Sequence, residues 1–251
     1  MSTPDIPEKY APYADEIKAT IKKTIKFKLQ KNPDLKLWQS KVGGSPYLPL
    51  NEPYPLNSEG EPLLFLAQVN FSELPRIEEF PEEGILEFYI DGQDDILGYE
   101  NKEGGFKVLY FKDIEEDETK LHSEFKKLTF PFGPFQVDAS YSMDFSLEDQ
   151  YMSILDYRFE NIVDYEDDYD MYDQYNDLYP ANGNRLWGYP YFTQSDPREG
   201  VNNLKDYELL FQLDSDESII WGDMGVGAFF IKPDDLQKLD FTNILYNWDC
   251  Y

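Results

Sequence analysis

At 251 residues, with 17 % aromatic content carried mostly by Tyr and Phe, the chain has the length and the bulky side chains to bury a sizeable core, which excludes a disordered acidic tail. Its net charge of −28 is uneven: residues 1–41 carry +4 and residues 42–251 carry −32. So acidic a body repels nucleic acid and anionic membrane and draws cationic surfaces with a salt-sensitive pull.

Residues 8–23 read as a short helix, with Ile17 and Ile21 one turn apart and Ala14 on the same side. The period then changes: Ile25, Phe27 and Leu29 alternate with Lys26, Lys28 and Gln30, which predicts a strand. This basic segment, residues 1–30, is expected to pack on the protein's own acidic body. The prolines of 42–62 predict an ordered, extended loop with little ladder pairing. Strands are expected over 63–70, 84–91 and 106–111, and again over 126–132 and 135–142, with an acidic solvated loop at 113–118. Ser146, followed by Glu148 and Asp149, reads as a helix N-cap, and the apolar spacing from Leu147 to Phe159 continues it. Residues 146–182 are therefore expected to form an acidic helical connector that ends before Pro180. A helix from Pro233 and a last strand, Asn243–Trp248, close the chain.

Two stretches repeat one another in order. Gly44-Ser-Pro-Tyr47 returns as Gly188-Tyr-Pro-Tyr191, and Leu66-Ala-Gln-Val-Asn70 as Leu210-Phe-Gln-Leu-Asp214, both at an offset of 144 residues. Gly84–Ile90 returns as Gly225–Ile231 at 141, and Val108-Leu-Tyr110 as Ile244-Leu-Tyr246 at 136. The repeat predicts one domain over 1–251 made of two halves, 31–142 and 183–251. The expected fold class is mainly β (α+β): a duplicated antiparallel roll or sandwich with an N-terminal helix and short flanking helices.

Recognisable catalytic sets are missing. The one histidine, His122, has no supporting motif, and the one cysteine, Cys250, allows neither an intramolecular disulfide nor a Cys-built zinc site. No phosphate loop is present. Asp164-x-Glu166-x-Asp168 and Asp214-x-Asp216-x-Ser218 put Tyr169 and Ile219 where a calcium loop needs glycine. No cofactor or metal is expected. The absence of a leader pattern or a transmembrane-length apolar run reads as cytoplasmic.

Strand alternation puts Leu66, Gln68 and Asn70 on one face and, in the second copy, Leu210, Gln212 and Asp214. If the halves meet about a pseudo-two-fold, these polar residues converge on a seam, to bridge backbone there or to face a ligand. Glu82 and Asp223 correspond as well. Arg198, in Asp196-Pro-Arg198, is either charge-paired or a binder of carboxylate or phosphate. Trp221-Gly-Asp223 sets an indole beside a carboxylate, an arrangement suited to core anchoring or to stacking. The candidate ligand-binding set is thus Gln68, Asn70, Arg198, Gln212, Asp214, Asp216, Trp221 and Asp223, with no catalytic residue assigned.

The combination of Lys41-Val-Gly-Gly-Ser-Pro-Tyr-Leu-Pro49, Pro62–Phe71, Gly84–Ile90, Gly188–Arg198, Leu209–Asp216, Trp221-Gly-Asp223 and Leu245–Cys250 resembles the YwqG-like family, a bacterial domain of unknown function. The resemblance implies a single mainly-β, roll-like domain with flanking helices and transfers no activity. Some relatives sit near secreted-toxin systems, which by analogy suggests an immunity-like role. The reading this favours is an uncharacterised acidic interaction protein that captures a cationic protein partner, of unknown oligomeric state. The alternative is a small-ligand module or carboxylate-based enzyme at the seam.

Overall fold

Alternation of apolar residues with lysines does make a strand at the N-terminus, and a longer one than the pattern implies: β1 runs Lys22–Lys31. The computed structural model describes residues 6–99, 104–123, 125, 129–135, 139–163 and 169–251. The helix before β1 is correspondingly shorter than expected. A 3₁₀ turn at Glu8–Tyr13 leads into α1 (Ala14–Ala19), and Thr20 caps it, its hydroxyl donating to the Ile17 carbonyl at 2.7 Å. Ile17 is buried, whereas Ile21 lies past the helix end and is exposed.

The other strands are β2 (Lys41–Gly43), β3 (Leu64–Asn70), β4 (Ile85–Ile90), β5 (Phe106–Phe111), β6 (Ser140–Gln150), β7 (Arg185–Leu186), β8 (Glu208–Asp214), β9 (Val226–Ile231) and β10 (Leu245–Asp249). They form a single antiparallel sheet in the order β10-β9-β8-β7-β1-β6-β2-β3-β4-β5. Mainly-β architecture with an N-terminal helix is therefore what the chain adopts.

The repeat is visible in this order, which reads the same from either end once the halves are exchanged. Lys41 of β2 faces Ser142 of β6, and its repeat equivalent Arg185 of β7 faces Lys26 of β1. Lys26 and Ser142 are thus equivalents too, and the β1–β6 pairing sets Lys28 opposite Asp144, its own equivalent. The pseudo-two-fold passes through that pair. Each half sends its first strand across the axis, so that β1 pairs with β7 and β6 with β2. Both halves carry the same irregularity, a bulge between Phe65 and Ala67 in β3 and between Leu209 and Phe211 in β8. The ladders also correct one alignment. They make Tyr246, not Ile244, the equivalent of Val108, an offset of 138 rather than 136.

The sheet curls so that its wings face each other over one core. An aromatic column crosses it: Phe27 on Phe211 at 5.7 Å, Phe211 on Phe88 at 4.5 Å, Phe88 on Phe229 at 4.8 Å and Phe229 on Tyr246 at 4.8 Å between ring centroids. Phe88 and Phe229 are repeat equivalents, so the axis passes between them.

The helix expected from Ser146 does not form. Tyr141, Met143, Phe145 and Leu147 alternate with polar residues, and β6 pairs with all ten residues of β1, with Phe145 edge-on to Phe27 at 6.0 Å. Long-range pairing and apolar contact outweigh a good cap. Residues 151–163 follow as turns and a 3₁₀ turn at Phe159–Asn161. The acidic segment does contain a helix, α2 (Tyr169–Leu178), which docks through Tyr175, whose hydroxyl donates to the Met152 carbonyl at 3.0 Å. Residues 164–168, with Asp164, Glu166 and Asp168, lie outside the described residues. Part of the 126–132 and 135–142 strands expected from sequence lies outside them as well, and residues 129–135 and 139 carry no strand. The helix from Pro233, α3 (Pro233–Gln237), is present.

The N-terminal lysines meet the acidic body as expected: Lys22–Glu208 at 2.9 Å, Lys23–Asp149 at 2.6 Å and Lys26–Glu148 at 2.9 Å.

Candidate functional site

The polar rows singled out by the repeat occupy matched positions with matched partners. The Gln68 amide oxygen accepts from the Tyr47 backbone N–H at 2.8 Å, and its nitrogen donates to the carbonyls of Leu37 and Gln39 at 2.7 and 2.8 Å. Gln212 does the same 144 residues on: its oxygen accepts from Tyr191 N–H at 2.8 Å and its nitrogen donates to Ala181 and Gly183 at 3.0 and 2.8 Å. Both side chains are fully buried. Asn70 caps the turn at Phe71–Glu73 and donates to the Trp38 carbonyl at 3.0 Å. Asp214 accepts from the N–H groups of Gly183 and Ser215 at 2.5 and 2.8 Å. These amides staple a loop to the outer face of each wing.

The rows do not converge. From β3 to β8 is five strand steps, about 24 Å along the sheet. The bulges also alter the face assignment: Phe65 joins Tyr89 on the Gln68 side, and Leu66 faces the core.

Where the copies differ, charge is buried. Lys41 and Arg185 are equivalents, each almost fully buried. Lys41 donates to the carbonyls of Lys36, Leu37 and Ser45 at 2.7–3.2 Å, while Arg185 donates to Asn182 at 2.5 Å and its Nε and Nη1 have no partner among the described residues. Burial pulls the Arg185 guanidinium down to about 10, against the pull of Asp214 and Glu148, and pulls the Lys41 ammonium down to about 8, against that of Glu87 and Glu73. Glu87, in the otherwise apolar β4, has Ala228 as its equivalent. It is wholly buried, accepts from the Tyr89 hydroxyl at 2.8 Å, and leaves Oε1 unpartnered among the described residues. Burial pushes its carboxyl up to about 8, the Tyr89 bond acting against it.

Arg198 sits in a closed ionic cluster. Its guanidinium meets Asp196 at 2.6 Å and Asp156 at 3.0 Å and donates to the Tyr207 carbonyl at 2.9 Å. Arg158 joins from the same Asp156 at 2.7 Å and from Glu208 at 2.6 Å. Asp216 closes a turn by accepting from Ser218 and Ile219 N–H at 2.6 and 3.0 Å. Trp221 is buried, with its indole N–H unpartnered among the described residues, against Gly227, whose missing side chain makes room for the ring. Asp223 is exposed, and its carbonyl accepts from Tyr251 N–H at 3.2 Å.

The described cavities lie elsewhere. A groove of about 610 Å³ runs along the free edge of β5, between the loop at Leu56–Ser58 and the segment Leu239–Ile244. Smaller hollows of about 380 and 180 Å³ adjoin Leu74 and Pro75. None is lined by any of the eight candidate residues. The sequence signal for Glu87 was a lone carboxylate inside Ile85–Ile90; the groove had none, because it depends on which strand ends the sheet.

Residues 40–250 match DUF1963, a domain of unknown function. The chain belongs to the DUF1963 family. No curated protein matches it. The DUF1963 match begins at Ser40, one residue before β2, and so leaves out β1, although β1 holds the centre of this sheet between β6 and β7. Within the DUF1963 span lie both polar rows, the Arg198 cluster and the β5 groove. Among the described residues no helix is long and apolar enough to cross a membrane.

Proposed function

We propose that this DUF1963 protein, of the YwqG-like type recognised in its sequence, is a cytoplasmic acidic interaction protein that captures a cationic protein segment. The carrying observation is the charge: −32 on residues 42–251, of which the lysines of β1 offset only a few carboxylates in surface pairs. Six of the eight candidates, Gln68, Asn70, Arg198, Gln212, Asp214 and Asp216, are engaged in turns, backbone staples and ion pairs, and Trp221 is buried in the core, which supports binding through the surface rather than chemistry at a buried seam. A surface of this sign raises the encounter rate of a cationic partner and loses grip as salt screens it. Calorimetric titration with octalysine tests the reading against an unrelated protein of similar net charge. The expectation is binding at about 50 mM salt, at least tenfold tighter than to the control, falling about tenfold or more by 300 mM. Equal binding to the two proteins, or none at 50 mM, overturns it.

A further inference from the structure

The β5 groove offers unpaired backbone. The Asp91 N–H donates to the Gly105 carbonyl at 2.7 Å, in register with the β4–β5 ladder, which makes 91/105, 89/107 and 87/109 the mutually bonded pairs. Phe106, Val108 and Tyr110 therefore turn their N–H and C=O groups away from β4, toward the groove. Among the described residues none of these six groups has a backbone partner. Their side chains point inward: Phe106 to Tyr246 at 5.4 Å, Tyr110 to Phe241 at 5.0 Å.

The pseudo-two-fold provides an internal comparison. At the equivalent edge, the segment Ile96–Leu97 is tied to β10, the Trp248 indole donating to the Ile96 carbonyl at 2.6 Å and the Tyr246 hydroxyl to Leu97 at 3.2 Å. Leu97 and its counterpart Leu239 both take left-handed backbone, φ 50° and 56°. Across β5 the matching segment around Leu239 and Phe241 makes the ring contact with Tyr110, no hydrogen bond ties it to the strand among the described residues, and the groove stays open. Among the described residues the outward backbone groups of both edges lack backbone partners; the difference is that side chains fasten a loop against β10, whereas no hydrogen bond fastens the segment beside β5, which leaves that edge open to an extended segment that adds as a strand.

The surroundings select the occupant. Asp240 lies in the groove wall, and Glu83 and Asp113 act on the Tyr110 hydroxyl at one end; among the described lining residues Lys107 is the one cation. Apolar walls from Phe241, Ile244 and Leu56 accept alternate side chains. A second copy of a chain of charge −28 is disfavoured there by like-charge repulsion.

We infer that the free edge of β5 receives an extended peptide of alternating apolar and basic residues, which pairs with the backbone of Phe106, Val108 and Tyr110 as an added strand. This rests on the acidic-capture reading and gives it a place and a geometry.

The test uses the full chain and a labelled (Lys-Val)₄ peptide, the same peptide N-methylated at alternate amides, and the variant Val108→Pro. Proline removes one groove-facing donor at an edge position that tolerates it. The expected result is binding of the plain peptide at low salt and a Kd at least tenfold weaker both for the N-methylated peptide and for V108P. Slowed hydrogen exchange at the amides of Phe106, Val108 and Tyr110 is expected with it. If V108P fails to fold, the N-methylated peptide on the unaltered protein carries the comparison alone. Equal binding of the two peptides overturns strand addition and leaves acidic capture standing; failure of (Lys-Val)₄ and octalysine together overturns both. Dimerisation of the unaltered protein that V108P abolishes, without peptide, also overturns it, since the edge would then belong to a second copy.

Discussion

Replacing Glu87 by Gln keeps the shape of a buried side chain and removes its titration. In the folded protein burial holds the Glu87 proton up to about 8, whereas the unfolded chain releases it near 4.5. Between those values the native state binds a proton that the unfolded state has lost, so stability falls as pH rises, about tenfold in the folding constant per pH unit, and levels off above 8. The contribution of Glu87 is fully favourable below 4.5, and by pH 7 the accumulated loss is on the order of 3 kcal/mol. E87Q should therefore match the native protein at pH 5 to within about 1 kcal/mol and exceed it by about 3 kcal/mol at pH 7. Lys41 has the opposite sign: its folded value of about 8 lies below 10.5, so its burial destabilises below 8 and the loss is relieved as pH climbs toward 10.5. Urea unfolding followed by Trp fluorescence at pH 5, 6, 7 and 8 keeps clear of that second window. A stability difference between E87Q and the native protein that is constant over this range would refute a buried, proton-holding Glu87. Tyr89→Phe supplies a companion: losing the hydrogen bond that favours the carboxylate should carry the decline to higher pH.

Arg198→Ala strands Asp156 and Asp196 in a buried pocket and should cost about 3–5 kcal/mol in urea unfolding, against under 1 kcal/mol if the cluster behaves as a surface ion pair. Gln68→Leu and Gln212→Leu each orphan one N–H and two carbonyls, so the two variants should lose similar stability, at least about 2 kcal/mol, with amide exchange accelerating locally at Tyr47 in the first and Tyr191 in the second. Trp187 occupies, at φ 59°, the left-handed position that Gly43 fills at φ 66° in the first copy. Trp187→Gly relieves about 1 kcal/mol of backbone strain but removes a buried indole that sits 6.0 Å from the Phe80 ring, a loss of about 3–5 kcal/mol, so thermal unfolding should show net destabilisation. Gly43→Ala should destabilise as well, because its Cβ would lie 2.4 Å from the Ala139 carbonyl oxygen.

What could be read from the sequence was whatever a short window encodes. Period-2 alternation located β1, the strands expected over 63–70, 84–91 and 106–111 match β3, β4 and β5 to within a few residues, and the 144-residue offset found Gln68 and Gln212 with the correct equivalence. Their partners were also written in the chain, since Leu37 with Ala181 and Gln39 with Gly183 keep the same offset, but nothing local shows that one glutamine spans two carbonyls 29 and 31 residues away and an N–H 21 residues away. Ser146 failed for the converse reason: the cap signal is local, whereas the strand that overrides it depends on β1, more than a hundred residues earlier. The bulges at Phe65 and Leu209 shifted a face assignment that strict alternation made wrong for Leu66. The seam was misplaced because the repeat says that two halves exist without saying which strands join them. Here the joining strands are β1 and β6, each carried across the axis into the other wing. That exchange fixes which strands are left at the ends of the sheet. With β1 and β6 holding the centre, β5 and β10 become edges, and the duplication that made them equivalent also makes their difference informative: Trp248 and Tyr246 donate to a loop over β10, whereas on β5 the Tyr110 hydroxyl donates to the Glu83 carbonyl instead and Val108 has no polar side-chain group to offer.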